Sequence, residues 1–109
     1  MLTPFCALAL IAKNAMIPAM ARPKHLLVEE RTRKLSEYAE TSKLNRAEYN
    51  DTKIGVITSG ITYQYVKEAL PEASILKLGM AWPLPSRLIK EFASKVETLY
   101  VVEELDPVL

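Results

Sequence analysis

Near the end of the chain Glu103, Glu104 and Asp106 place three carboxylates within four positions, a density suited to holding a hard cation or supplying a general base. A strand would point Glu103 and Glu104 to opposite faces, so the plainer expectation is one acid on the rim and the other facing solvent or a partner. Upstream, Thr58-Ser59-Gly60 follows a β-branched run, with Thr62 just beyond. Gly60 can adopt positive φ, and N–H groups opening the next helix could cradle a phosphate or carboxylate. Neither G-x-G-x-x-G nor G-K-[ST] accompanies that turn, so a strand-to-helix connection capped by Ser59 or Thr62 is favoured. Trp82 could stack on a ligand ring or plug an interface. Tyr63 and Tyr65 could do likewise, with Tyr65 expected on the apolar face, although packing is the commoner use of such rings. His25 has no nucleophile or carboxylate at ligand spacing and reads as a partly exposed helical residue. One histidine and one cysteine, Cys6, cannot assemble a catalytic triad, a structural zinc site or an iron–sulfur site. No catalytic residue and no metal ligand is expected. The candidates for a ligand rim are Ser59, Gly60, Thr62, Trp82 and Glu103.

The bulk properties remove other classes. The 109 residues suit a domain of ordinary size; 50% are hydrophobic and 25% charged, which is globular composition. A net charge of +1 supplies no field for nucleic acid, and 7% scattered aromatics give no stacking platform. The lone cysteine precludes an internal disulfide and suits a reducing cytoplasm. Phe5 to Ala12 is an apolar run, but no positive charge precedes it, and it falls short of the ~20 residues that cross a bilayer. Neither membrane insertion nor export is expected.

Elements follow from periodicity. Pro23 suits the first helical position, and Val28, Thr32, Leu35 and Ala39 form a stripe supported by Glu29/Arg33 and Glu30/Lys34 pairs. The helix is predicted to end near Thr41, with Thr41 to Thr52 a polar connection. Ile54-Gly55-Val56-Ile57 reads as a strand. Ile61, Tyr65, Val66, Ala69 and Leu70 line one face of a helix stopped by Pro71. Ile75 to Leu78 is a strand. Trp82-Pro83-Leu84-Pro85 is an extended or turn connection, because residues before proline avoid the α region. Leu88, Ile89, Phe92, Ala93 and Val96 mark a further helix, and Leu99 to Val102 a last strand. This β-α-β-α-β order implies parallel strands joined by right-handed crossovers. Three strands leave the sheet incomplete, so something else must finish it. The domain organisation read here is residues 1–52, an apolar segment with a charged helix and linker, and residues 53–109, the α/β unit.

Three strings, Lys53 to Tyr65 (KIGVITSGITYQY), Leu76 to Leu84 (LKLGMAWPL) and Tyr100 to Pro107 (YVVEELDP), resemble indolepyruvate:ferredoxin oxidoreductase alpha subunits. Ile17 to Leu35 and Thr41 to Asn50 resemble the segment before that domain, whereas Met1 to Asn14 does not fit. The resemblance implies a transketolase C-terminal-like domain: a three-layer, doubly wound, mainly parallel α/β unit of chiefly architectural role. It implies a full enzyme that oxidatively decarboxylates aryl pyruvates to acyl-coenzyme A while reducing ferredoxin, using thiamine diphosphate, Mg²⁺ and [4Fe-4S] clusters. The cofactors would lie outside these residues. The partners would be the rest of the alpha subunit and a beta subunit in an oligomer, with coenzyme A and ferredoxin serving the whole. The alternative is a stand-alone, flavodoxin-like binding or oligomerisation module, with Ser59 and Gly60 holding a phosphate.

Overall fold

The computed structural model describes residues 18–107 and 109, so Cys6 and the Phe5 to Ala12 run lie outside the described residues. The chain separates into two compact units, Met1–Lys34 and Leu35–Leu109. Helix α1 spans Pro18–Thr41 and begins five residues before the expected start. Pro23 therefore lies inside the helix rather than at its first position, where its missing N–H deprives the preceding turn of a bond. Glu30 and Lys34 pair at 2.8 Å as the spacing predicts. Of the Val28, Thr32, Leu35 and Ala39 stripe only Ala39 is buried, so that stripe is not a continuous packed face among the described residues.

The second unit is built on a four-stranded mixed sheet: β1 (Asn45–Glu48), β2 (Asp51–Ser59), β3 (Ala73–Leu78) and β4 (Thr98–Val102), in the order β1-β3-β2-β4. The pairs β2–β3 and β2–β4 are parallel; β1 pairs antiparallel with β3. Strand β1 corrects the sequence reading, which placed only a polar connection there. Its residues, NRAE, have neither the β-branched content nor the apolar alternation of a strand. It forms because the exposed edge of β3 supplies a ladder and the neighbouring turn fixes its register.

Helix α2 (Thr62–Ala69) joins β2 to β3, and α3 (Ser86–Ser94) joins β3 to β4. Val56 and Ile75 of the sheet pack with Tyr63 and Val66 of α2. Ile57, Leu76 and Leu78 point the other way and pack with Phe92, Leu88 and Ile89. Two helices thus cover opposite faces, giving the expected α/β layering. The α3 stripe agrees with its sequence reading. The α2 stripe does not: Tyr63 is 4% exposed, Thr62 and Val66 are buried beside it, and Ile61 and Tyr65 are 53% and 59% exposed. Apolar residues occur on both sides of this short helix, so periodicity alone could not choose which side meets the sheet.

Gly55 permits close layering. A Cβ on it would lie 2.7 Å from Val96 Cγ2, so the turn just after α3 settles directly on β2 because that residue has no side chain. At the far edge, β4 is exposed along its whole length although it carries Leu99, Tyr100, Val101 and Val102.

Candidate functional site

Strand β2 is followed by a crossover to β3 on one side, and β3 by a crossover to β4 on the other. The connections leaving the carboxyl ends of β2 and β3 thus run to opposite faces of the sheet, and in open α/β sheets ligands usually sit beyond those strand ends. A crevice of about 270 Å³ lies there, lined by Ser59, Gly60, Ile61 and Thr62 after β2, and by Ala81, Glu103, Glu104, Asp106 and Leu109. Four of the five rim candidates, Ser59, Gly60, Thr62 and Glu103, therefore share one wall system. Trp82 does not line it: the indole is 80% exposed, beyond the crevice-lining Ala81.

Each wall has a local cause. Gly60 turns the chain at φ +57°, a conformation that costs a side-chain-bearing residue strain, and nothing lies within 4 Å of where a Cβ would sit. Ile61, not Ser59 or Thr62, is the N-cap residue of α2, and no side-chain hydrogen bond caps that end. The expected capping role is thus corrected. On the opposite wall β4 ends at Val102, so the alternation of a strand no longer governs Glu103 and Glu104, and both line the crevice. Glu103 accepts the Leu109 N–H at 2.8 Å, which folds the following loop back on itself. That loop contains Leu105 at φ +66°, a left-handed conformation unusual for leucine.

The electrostatics follow from this layout. Uncapped N–H groups at the start of α2 present partial positive charge, and the carboxylates across the crevice complement it. The same carboxylates oppose an anionic guest, which weighs against a phosphate held by Ser59 and Gly60. Among the described residues no group of three or more His, Cys, Asp or Glu side chains could hold a metal ion. His25 is not unpartnered as its sequence context suggested: its Nε2 lies 2.9 Å from Glu29 Oε1, one helical turn away. That exposed pair has no nucleophile in it.

Other polar residues have roles that their local sequence hides. The buried Asn45 donates from Nδ2 to the Ala39 and Met80 carbonyls at 3.0 and 3.2 Å and accepts the Met80 N–H on Oδ1 at 2.8 Å. It ties the end of α1, the edge strand and the loop leaving β3 into one junction. Glu40 accepts the Arg87 and Leu88 N–H groups, both at 2.9 Å, and so caps α3 from a distant part of the chain. Tyr63 donates to Glu48 at 2.8 Å, and this bond, ahead of Lys67 and Arg46, holds the Glu48 carboxyl below its ordinary range. These partners are remote in sequence, so no spacing rule announces them.

Similarity to known proteins follows the strings noted above. The chain is 42% identical over 103 residues to indolepyruvate oxidoreductase subunit IorA of Pyrococcus horikoshii, covering 89% of this chain and 16% of that protein. To the IorA subunits of Archaeoglobus fulgidus and Methanothermobacter marburgensis it is 37% and 39% identical, over 86% and 85% of its length and again 16% of theirs. The chain thus spans about one sixth of the curated relatives it matches. No family model and no solved structure matches it.

Proposed function

We propose that this chain, which belongs to the indolepyruvate oxidoreductase subunit IorA family, is an architectural segment of an indolepyruvate:ferredoxin oxidoreductase alpha subunit. The observation that carries this reading is β4. It stands at the edge of the sheet, paired with β2 alone, and it is exposed along its length with Leu99, Tyr100, Val101 and Val102. An edge with that composition and no lysine or proline to blunt it is a template for further pairing. In the whole enzyme it is covered by the rest of the alpha subunit or by its beta-subunit partner, and the segment acts as a joint between them.

The fold assigned to the segment is the transketolase C-terminal-like domain, supported by parallel crossovers with helices on both faces. The full enzyme would convert aryl pyruvates to acyl-coenzyme A and reduce ferredoxin. In this reading thiamine diphosphate, Mg²⁺ and iron–sulfur clusters would be held by other parts of the enzyme, which is supported by a crevice lined with carboxylates where a diphosphate would need cations. No chemical step is therefore assigned to these side chains.

The test is direct. The purified chain, given thiamine diphosphate, Mg²⁺, coenzyme A and indolepyruvate, is expected to reduce no dye and to show no calorimetric binding of the cofactor. Turnover above a protein-free control overturns the architectural reading. A second reading, an oligomer-forming module without ligand, is favoured by the same exposed strand. Light scattering separates the two, since a self-associating module gives a dimer that Val101→Lys dissociates, whereas a joint awaiting other partners gives no defined oligomer.

A further inference from the structure

The sheet face beneath α2 carries a charged cluster that the crevice and the β4 edge do not involve. Strands β1 and β3 pair with Arg46 directly opposite Lys77. Like charges at opposed positions ordinarily destabilise a sheet. Helix α2 adds a third cation, Lys67, to the same place. All three converge on one ring: Lys77 Nζ lies 4.6 Å, Lys67 Nζ 5.3 Å and Arg46 Cζ 6.0 Å from the Tyr63 centroid.

The ring is a fixed support, because Tyr63 is buried and its hydroxyl donates to Glu48 Oε1 at 2.8 Å. Lys67 Nζ donates to the Tyr63 hydroxyl at 2.9 Å and to Glu48 Oε2 at 3.2 Å. Arg46 reaches Glu48 at only 3.6 Å. Glu48 is the carboxylate that these contacts bring into the cluster, so three cations against one anion leave about two positive charges in excess. The Arg46 and Lys67 side chains remain accessible, 57% and 53% exposed, while Lys77 is half-buried.

We propose that Arg46, Lys77 and Lys67, supported by the Tyr63 ring, form a binding site for a phosphate-type dianion. The excess charge matches one phosphate monoester, which carries about −1.5 to −2 near neutral pH. Convergence on one ring also favours a compact anion over an extended acidic strand, whose charges would need cations spread along a line. The opposed Arg46 and Lys77 then have a purpose, since a local rule broken at a defined spot is the usual mark of a site. Arg46 supplies paired planar donors and Lys77 a point charge.

The full chain, labelled with ¹⁵N, is titrated at low and fixed ionic strength with inorganic phosphate and separately with adenosine monophosphate, sodium chloride serving as control. Saturable amide shifts are expected at Arg46, Tyr63, Lys67 and Lys77, fading as salt rises. Equal affinity for the two compounds assigns recognition to the phosphoryl group alone, and tighter binding of the monophosphate assigns it to an ester; both uphold the site. The Arg46→Gln, Lys77→Gln double variant should bind about fivefold more weakly while keeping a folded spectrum, and Lys77→Arg should bind as the parent does. Shifts that never saturate, that chloride reproduces, or that survive unchanged in the double variant overturn the proposal. Loss of binding in Lys77→Arg overturns it equally, since charge is retained there.

Discussion

Replacing Asn45 by alanine removes one side chain and breaks three hydrogen bonds at once. The residue is 7% exposed, and it bonds the Ala39 carbonyl, the Met80 carbonyl and the Met80 N–H at 3.0, 3.2 and 2.8 Å. The orphaned Met80 N–H carries the largest penalty, about 1–3 kcal/mol for a buried donor without an acceptor. The two carbonyls lose bonds worth about 0.5–1.5 kcal/mol each, and water reaching the half-buried Met80 recovers part of that. The expected loss is therefore about 3 kcal/mol, a large share of the ~5–15 kcal/mol that holds a domain together. Urea unfolding followed by far-UV circular dichroism measures it, and the midpoint should fall while the slope stays constant. Trp82 fluorescence is a poor reporter because that indole is already exposed. Asn45→Asp sharpens the test. The carboxylate still accepts from Met80 but turns an oxygen toward the two carbonyls, so the variant should be as unstable as the alanine form at pH 7. Acid that protonates the new carboxylate should narrow its deficit against the parent. A loss below about 1 kcal/mol in Asn45→Ala, or an aspartate form as stable as the parent at pH 7, refutes the claim that this amide holds the junction.

Further outcomes can be checked by the same unfolding measurements. Glu40→Ala should cost about 1 kcal/mol by uncapping α3, and amide exchange at Arg87 and Leu88 should accelerate selectively. Gly55→Val should destabilise by about 1–3 kcal/mol or more, since even a Cβ there meets Val96, and Val96→Ala in the same chain should recover part of the loss. Gly60→Ala should cost about 1–2 kcal/mol through backbone strain alone, because nothing lies within 4 Å of the added Cβ. For Glu48 the folded-state carboxyl titrates below its ordinary value, chiefly through the Tyr63 bond. Its contribution is present above that value and lost as pH falls through the lower folded one, so Glu48→Gln should flatten the acid limb of stability below about pH 4.5. An unchanged acid limb would contradict the assigned bond.

The sequence alone determined the alternation of strands and helices from Ile54 to Val102, because β-branched runs, proline stops and the α3 stripe are local signals that burial on two faces reinforces. It also determined that Ser59, Gly60, Thr62 and Glu103 would meet: parallel crossovers bring the carboxyl ends of all such strands to one rim, whatever the side chains. Trp82 was misplaced because its position depends on how the Pro83 and Pro85 loop is laid, which periodicity does not encode. Only the tertiary structure decided that NRAE is a strand, since its ladder comes from β3 and the partners of its Asn45 anchor are Ala39 and Met80, which no local pattern announces. It alone chose Tyr63 over Tyr65 for the buried side of α2, because both faces of that helix offered apolar groups and the contacts with Val56 and Ile75 settled the matter. The gathering of Arg46, Lys67 and Lys77 on one ring was equally invisible along the chain, for charges from three elements become neighbours only once a register is set.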